Sequence, residues 1–420
     1  MSTAIELDLR PTAAAELFSA LHQAYLKLKP GTRLRAIVGR NPRQPYMGFV
    51  EAGIPHRIAQ LGDGEWEWSA TRTAWEPMGN GPGVHHVGIS PDGQRLYAVD
   101  RERTVFLFDT AVQRLTESVS VNKGTSHLAV HPRSGRVYVC ERSTDSMVRL
   151  DAETLQTRGR IATGASPNLP AAAEDGSVVI LPGRNGILTV AYDDEEVRRV
   201  NLAVGGQPSA ATISHDGRRA YIPDTARNLL VTVDLEQGKV LAETPVGDGP
   251  SHPIVTPDDC MVCVANSRSH DISMVDAHTF QLLATIPSGE AAHQTTLTAS
   301  GDVLLVANFF EDSVSIVDLP SRARVAVVAV GPYPHGLDMA PGDRYAVATH
   351  FGDPWVSIID VAERKVAARV PAGLGSSHTS FSPVGDRAYV ANSLANTITV
   401  IDLNSLEATA QIAAGATLGP

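Results

Sequence analysis

Aligned against itself, the chain stacks seven of its 14 histidines in two adjacent columns. A recurring turn of the S-P-x-G kind serves as ruler, at Pro91, Pro132, Glu174, His215, Pro257, Ala299, Pro341 and Pro383. His85, His293 and His335 stand six residues before it; His86, His127, His252 and His378 stand five before it. Random placement would put fewer than about one histidine there. Nine residues after the ruler comes a third column: Asp100, Glu141, Gly183, Asp224, Asn266, Asn308, His350 and Asn392. Imidazole is the commonest metal ligand and suits Cu, Fe, Zn or Ni, while carboxylates widen the choice towards Fe or Mn. The pattern therefore points to a metal or metal-cofactor site. His86, His127, His252 and His378 are read as direct ligands. His85, His293, His335 and His350 are read as further ligands or cofactor contacts. Asp100, Glu141 and Asp224 are read as catalytic groups that orient ligands or move protons.

A histidine can also cap a loop, and duplication would copy it. A residue needed for folding should then recur in every repeat. An Asp nine or ten residues further along does so, at Asp109, Asp151, Asp193, Asp234, Asp276, Asp318, Asp360 and Asp402. It is read as a turn former whose carboxylate bonds backbone N–H groups. The histidines occupy repeats 1, 2, 5, 6, 7 and 8, whereas repeats 3 and 4 carry Asn168-Leu169 and Ser209-Ala210. Metal–nitrogen bonds of about 2.0–2.1 Å stop one ion from gathering imidazoles across a wide channel. Three or four neighbours hold one ion, or the arc holds several ions.

The elements that must position these residues follow from the repeat. Its interval is 41 or 42 residues throughout, eight units in all. Residues 376–415 read as four short β-branched strands, 379–382, 387–391, 397–401 and 407–412, closed by Gly, Asp, Asn and Ser turns. Four strands at this period are the signature of a β-propeller blade. The expected fold is mainly β: an eight-bladed propeller over residues 84–420, after a linker at 74–83. Residues 1–73 lie outside the repeat. Strands at 5–9, 34–38, 58–61 and 65–71, with helices at 12–28 and 46–52, give a small α+β domain of order β-α-β-α-β-β. The linker echoes the end of a blade's outer strand, so either it or residues 407–412 close the ring.

Composition narrows the partners. Net charge is −11, with no run of Lys or Arg, so neither nucleic acid nor an anionic membrane is expected. No stretch approaches the ~18 apolar residues of a membrane span, and the start lacks a basic region followed by an apolar run. Cys140, Cys260 and Cys263 make no disulfide framework. The expectation is a cytoplasmic protein acting on a small-molecule substrate. Cys260 and Cys263 would point to opposite faces of a strand, and Cys140 reads as a small buried residue. His131, His215, His270 and His278 read as surface residues. There is no phosphate loop and no G-x-S-x-G elbow. Arg33, Arg35, Arg40 and Arg43 make the first domain locally basic, read first as a solvated face and second as a docking surface for a protein partner.

From Val84 on, AYVAN (388–392), CVAN (263–266), LVAN (305–308), TVIDL (399–403) and ATIPSG (284–289) resemble the YVTN, or YncE-like, propeller family. The resemblance implies the fold; function sits in sites grafted on it. In the first domain LDLRP, LKPG, the Asn41-Pro42 turn and GEWEW resemble a family of unknown function related to the sulfur carrier TusA. Carriers of that fold place a Cys before the Pro of the first turn, where this chain has Arg10. The histidine hub looks like that of nitrous oxide reductase, whose copper cluster uses an adjacent pair matched here by His85-His86. That likeness puts copper ahead of iron. Eight blades look like cytochrome-type nitrite reductase, which implies haem as a second cofactor, held non-covalently because no C-x-x-C-H is present.

Overall fold

The computed structural model describes residues 4–11, 20–21, 24–25, 27–28, 32–39, 56–62, 65–71, 83–125, 127–192, 199–208, 210–351 and 353–415. The chain forms two compact units with their main boundary between Pro82 and Gly83. No helix among the described residues is long and apolar enough to cross a membrane.

The first unit is a four-stranded sheet. Its strands are β1 (Ala4–Asp8), β2 (Arg33–Val38), β3 (His56–Gly62) and β4 (Glu65–Thr71), in the order β1-β2-β4-β3. β1 and β2 run parallel, and a parallel pair needs a long crossover. Helical residues 20–21 and 24–25 lie in that crossover, with Leu21 and Tyr25 buried one turn apart. Leu34, Ala36 and Val38 alternate into the same core. All four expected strands are present; the expected helix at 46–52 and the Asn41-Pro42 turn lie outside the described residues. Arg10 is tied into the sheet by Asp8 (2.9 Å) and Glu65 (3.0 Å). Arg35 pairs with Glu6 and Glu67, and Arg33 with Glu67, so these two arginines of the basic patch are matched within their own sheet, while Arg40 and Arg43 lie outside the described residues.

The second unit holds eight four-stranded antiparallel sheets, each made of four consecutive strands. The first is β5 (Val84–Ile89), β6 (Arg95–Asp100), β7 (Thr104–Asp109) and β8 (Arg114–Ser120); the last is Ser376–Phe381, Arg387–Asn392, Thr397–Asp402 and Glu407–Ala413. The middle strands are buried over nearly their whole length, as in Arg95–Asp100, Met261–Asn266 and Arg387–Asn392, because neighbouring sheets cover both faces. The first and last sheets share one core, in which Val84, Phe106 and Phe108 pack with Tyr389, Ile398 and Ile412. Among the described residues no strand is exchanged at this seam. Glu407–Ala413 supplies the outer strand of the last sheet, and residues 74–82 lie outside the described set. Polar contacts described at the seam include Ser377 Oγ donating to the His85 carbonyl (2.5 Å), Val84 N–H donating to Asn396 Oδ1 (3.2 Å) and a side-chain bond between Tyr389 and Thr110.

Seven members of the repeated Asp column are described, and each accepts backbone N–H groups two or three residues on, as at Asp109, Asp151 and Asp276. Asp193 falls outside the described residues.

Candidate metal centre

The innermost strands begin irregularly, and this irregularity builds the site. In five sheets the ladder slips where the inner strand starts: at Val84/His86, Ser251/Ile254, Ala292/Thr295, Pro334/Leu337 and Ser376/Thr379. Such bulges re-aim side chains that strict alternation would send to opposite faces. Adjacent residues such as His85 and His86 can thus reach one cluster. His252 sits inside its bulge at φ 38°, a conformation uncommon for a side chain of this size. The two sheets without hub histidines have inner strands of only two residues, Ala171–Ala172 and Thr212–Ile213.

The seven column histidines form one continuous run of rings. His85 lies 5.3 Å from His127 and 5.1 Å from His378 between centroids, and each of the three offers a nitrogen within 4.8 Å of the others. His86 stands beside them, 4.6 Å from His378 and 5.4 Å from His127. The run continues from His378 to His335 (5.2 Å), His293 (5.3 Å) and His252 (4.3 Å). Bonds of about 2.0–2.1 Å to one ion put ligand nitrogens about 3.4 Å apart. Modest ring movements therefore close the His85–His127–His378 set onto an ion, while His252 belongs to the far end of the arc.

Burial dominates the electrostatics. It holds His86 and His293 down to about 4, and His85, His127, His252, His335 and His378 well below the ordinary histidine value. Neighbouring cations add to this, notably Arg101 on His85 and partner imidazoles on His378. At neutral pH the rings are uncharged, the form that binds metals. Nδ1 of His85, His86, His252 and His293 and Nε2 of His378 are buried without a hydrogen-bond partner. An unmatched buried polar atom costs about 1–3 kcal/mol, so five together need an explanation.

One consequence is a pH dependence with a definite sign. In metal-free protein the unfolded chain takes up protons near 6.5, while these folded-state rings do so only at lower pH. Stability is therefore present above 6.5 and lost as pH falls towards 4. A shift from 6.5 to about 4 is worth roughly 3 kcal/mol per ring at the lower limit. Urea midpoints of chelator-treated protein between pH 7 and 4 should fall steeply, and His86→Gln should flatten the slope.

The third column does not join the rings. Its members accept the N–H of the loop arriving from the preceding blade: Asn122 to Glu141 (2.9 Å), Gln207 to Asp224 (3.0 Å), Gly289 to Asn308 (2.9 Å) and Gly331 to His350 Nε2 (3.1 Å). His350 is completely buried, and its Nδ1–H donates to the Trp355 carbonyl (2.8 Å), so both ring nitrogens are engaged. Asp100 accepts three successive N–H groups, from Glu102, Arg103 and Thr104. Burial would raise Glu141 and Asp224, but hydrogen bonds outweigh it and hold both below the usual carboxylate range. The donors are Asn122, Ser146 and Arg160 for Glu141, and Gln207 and Arg227 for Asp224. Gly206, in the left-handed region, leaves no space for a Cβ, which would collide with Asp224 Oδ2. A nearly invariant acceptor in this column was the signal for such a role.

A profile of the family described as lactonase, 7-bladed beta-propeller, matches residues 75–285 and 275–418. The chain belongs to that family. Among solved structures it is similar to Kuenenia stuttgartiensis hydrazine synthase, with a TM-score of 0.55 at 20% identity over 77% of this chain and 96% of that one. It is also similar to dihydro-heme d1 dehydrogenase NirN in complex with DHE, with a TM-score of 0.61 at 16% identity over 77% of this chain and 74% of that one. At these identities the likeness is one of fold. No curated protein matches the sequence.

Two features of this lactonase-family propeller escape the column argument. Arg101, ten residues after the first ruler position, sets its Nη2 3.3 Å from His85 Nε2. Asp338, three residues before the ruler, is the single acid in a column otherwise made of Gly88, Ala129, Ala171, Thr212, Ile254, Thr296 and Ser380. Burial pushes it up to about 7 against one N–H bond from Thr379, and its Oδ2 has no partner. The two buried cysteines are inert: Cys140 donates to the Asn168 carbonyl (2.6 Å), and burial pushes Cys263 up to about 12. Cys260 is exposed and Cys263 buried, as opposite strand faces require. His131, read as a surface residue, is buried and bonded to the Gly176 carbonyl (2.8 Å).

Proposed function

We propose that this protein is an eight-bladed propeller that binds a transition-metal ion at the histidine-lined mouth of its channel, where redox chemistry acts on a small molecule. Eight repeats and eight sheets support that blade count, one more than the family's name states. One observation carries the reading: His85, His127 and His378, from three neighbouring sheets, offer nitrogens within 4.8 Å of one another. The donor set fits an ion, since the rings are uncharged at neutral pH and five of the seven hold an unmatched nitrogen. Three imidazoles leave a coordination position open, and the sheets that lack hub histidines, the third and fourth, give it room. An all-nitrogen set suits copper, zinc or iron; copper or iron would supply one-electron chemistry. The family's name adds lactones to the small molecules worth screening.

A second reading is a non-covalent haem, favoured by the fold shared with NirN, which is described in complex with DHE. A macrocycle already supplies four nitrogens and needs at most two imidazoles, so a converging triad supports the bare ion first. The N-terminal domain, read as TusA-like, serves in this proposal as a docking piece for a protein partner.

The test is elemental analysis with an optical spectrum, on protein purified without chelators, wild type beside His127→Ala/His378→Ala. About one ion per chain in the wild type, lost in the double variant, is the expected outcome. A Soret band moves haem to first place. No metal after anaerobic reconstitution with copper or iron leaves a metal-free interaction scaffold and overturns the reading.

A further inference from the structure

The two repeats without hub histidines carry titratable residues at the other end of their inner strands. The ruler position is proline in five repeats and alanine in the sixth. Only repeats 3 and 4 place ionisable side chains there, Glu174 and His215. The ruler comes five residues after the nearer histidine column. At about 3.3 Å per strand residue, roughly 16 Å separates these two ends.

A cavity of about 640 Å³ opens at the ruler end, walled by the inner strands of the third to sixth sheets. That size is usual for a small-molecule site. Ala171, Ile213, Ile254 and Leu297 give it an apolar wall, and Glu174 and His215 line it as well. The histidine is held by a neighbouring sheet. Asp259 accepts the backbone N–H groups of His215 (2.8 Å) and Asp216 (3.0 Å), and the ring Nδ1–H of His215 (2.9 Å). It does so at a φ of 56°, in a turn position that is glycine in five repeats. Asp343 caps the Ala299 N–H in the same way, where there is no ring to hold. The backbone cap is therefore architecture, and the grip on an imidazole is particular to repeat 4.

With Nδ1 fixed, Nε2 is the nitrogen left for the cavity, and in the neutral ring it is an acceptor. Glu174, largely exposed at the rim, sets its Oε1 3.6 Å from that nitrogen. This is too long for a hydrogen bond, so the two groups do not satisfy each other. Two acceptors at that spacing, above an apolar wall, complement a single group with several N–H donors.

We infer that this cavity binds a small organic ammonium with an apolar body. Its N–H groups are donated to His215 Nε2 and Glu174, and its body lies against Ile213, Ile254 and Leu297. The Glu174 carboxylate strengthens the bond it accepts, since charge-assisted hydrogen bonds are about twice as strong as neutral ones. An alcohol of the same shape offers one donor and no charge. A carboxylate meets a like charge. The site lies apart from the histidine hub and needs no ion there.

Isothermal titration calorimetry on the full-length protein tests this, in EDTA so that no hub ion competes for the amine. Benzylamine is the probe, with benzyl alcohol and benzoate as its neutral and anionic counterparts. Benzylamine should bind the wild type about tenfold or more tighter than benzyl alcohol, and benzoate should not bind. His215→Ala and Glu174→Gln should each weaken benzylamine by about tenfold. Ala171→Trp, which fills the cavity, should abolish binding. Thermal melts separate a lost site from a lost fold, and Glu174→Gln alters only an exposed side chain. Benzyl alcohol binding as tightly as benzylamine overturns the inference. So does benzylamine affinity unchanged in both His215→Ala and Glu174→Gln, or no binding of benzylamine to the wild type.

Discussion

Loading the apoprotein with its ion, at a thousandfold excess over the dissociation constant, is expected to raise its unfolding free energy by about 4 kcal/mol. His378→Ala should abolish that gain. The same substitution should leave the metal-free protein as stable as before, or more stable by about 1 kcal/mol, because it removes a buried ring whose Nε2 has no partner. Residues kept for packing behave in the opposite way, since truncation weakens them under all conditions. Urea denaturation of wild type and variant, each with metal and with chelator, gives the four numbers required. A His378→Ala protein destabilised by several kcal/mol in chelator would assign the ring to packing or capping.

Asp224→Ala is expected to cost about 3 kcal/mol, the loss of a buried acceptor shared by several N–H donors, while the half-exposed Arg227 guanidinium can turn to water. Asp224 is 1% exposed and receives N–H groups from Gln207, Ala226 and Arg227 as well as the Arg227 guanidinium. Alanine leaves the three N–H groups unmatched, while the guanidinium keeps Glu243 and the Val204 carbonyl. Asp224→Asn keeps the shape and loses the charge, so a smaller deficit of about 2 kcal/mol should follow. Chemical denaturation at pH 7 measures both. An Asp224→Ala protein of native stability with altered chemistry would return the residue to the catalytic role read from its column.

Those two residues mark what the sequence made legible and what it hid. The repeat exposed the four-strand unit, the strand positions and the Asp turn column, because each recurs in nearly every blade and depends only on local backbone needs. The histidine columns were legible for the opposite reason: they break the repeat's uniformity in two blades. The third column showed only part of its role. Asp100, Glu141 and Asp224 are residue types that do chemistry, yet Asn266, Asn308 and Asn392 beside them showed that the common property is accepting hydrogen bonds. The order of rings within the cluster was hidden by the bulges. Strict alternation would have separated His85 from His86, whereas the slipped register brings His85 to the centre of the triad and leaves His252 at the end of the arc. Arg101 was hidden because its column holds arginine in only three of the eight repeats, at Arg101, Arg142 and Arg184.

The seam between the first and last sheets gives the site a second meaning. Among the described residues these sheets exchange no strand, so the described backbone ladder does not itself fasten the first sheet to the last. His85 stands on one side of that seam and His378 on the other, 293 residues apart in sequence. An ion bonded to both is a cross-link closing the chain's longest loop. In the chain-entropy account, a link of that span removes on the order of 5 kcal/mol of freedom from the unfolded chain. Such an ion would act as a buckle as well as a centre for chemistry. Parting the seam would release it, so the fastening of the ring and the retention of the ion are one equilibrium.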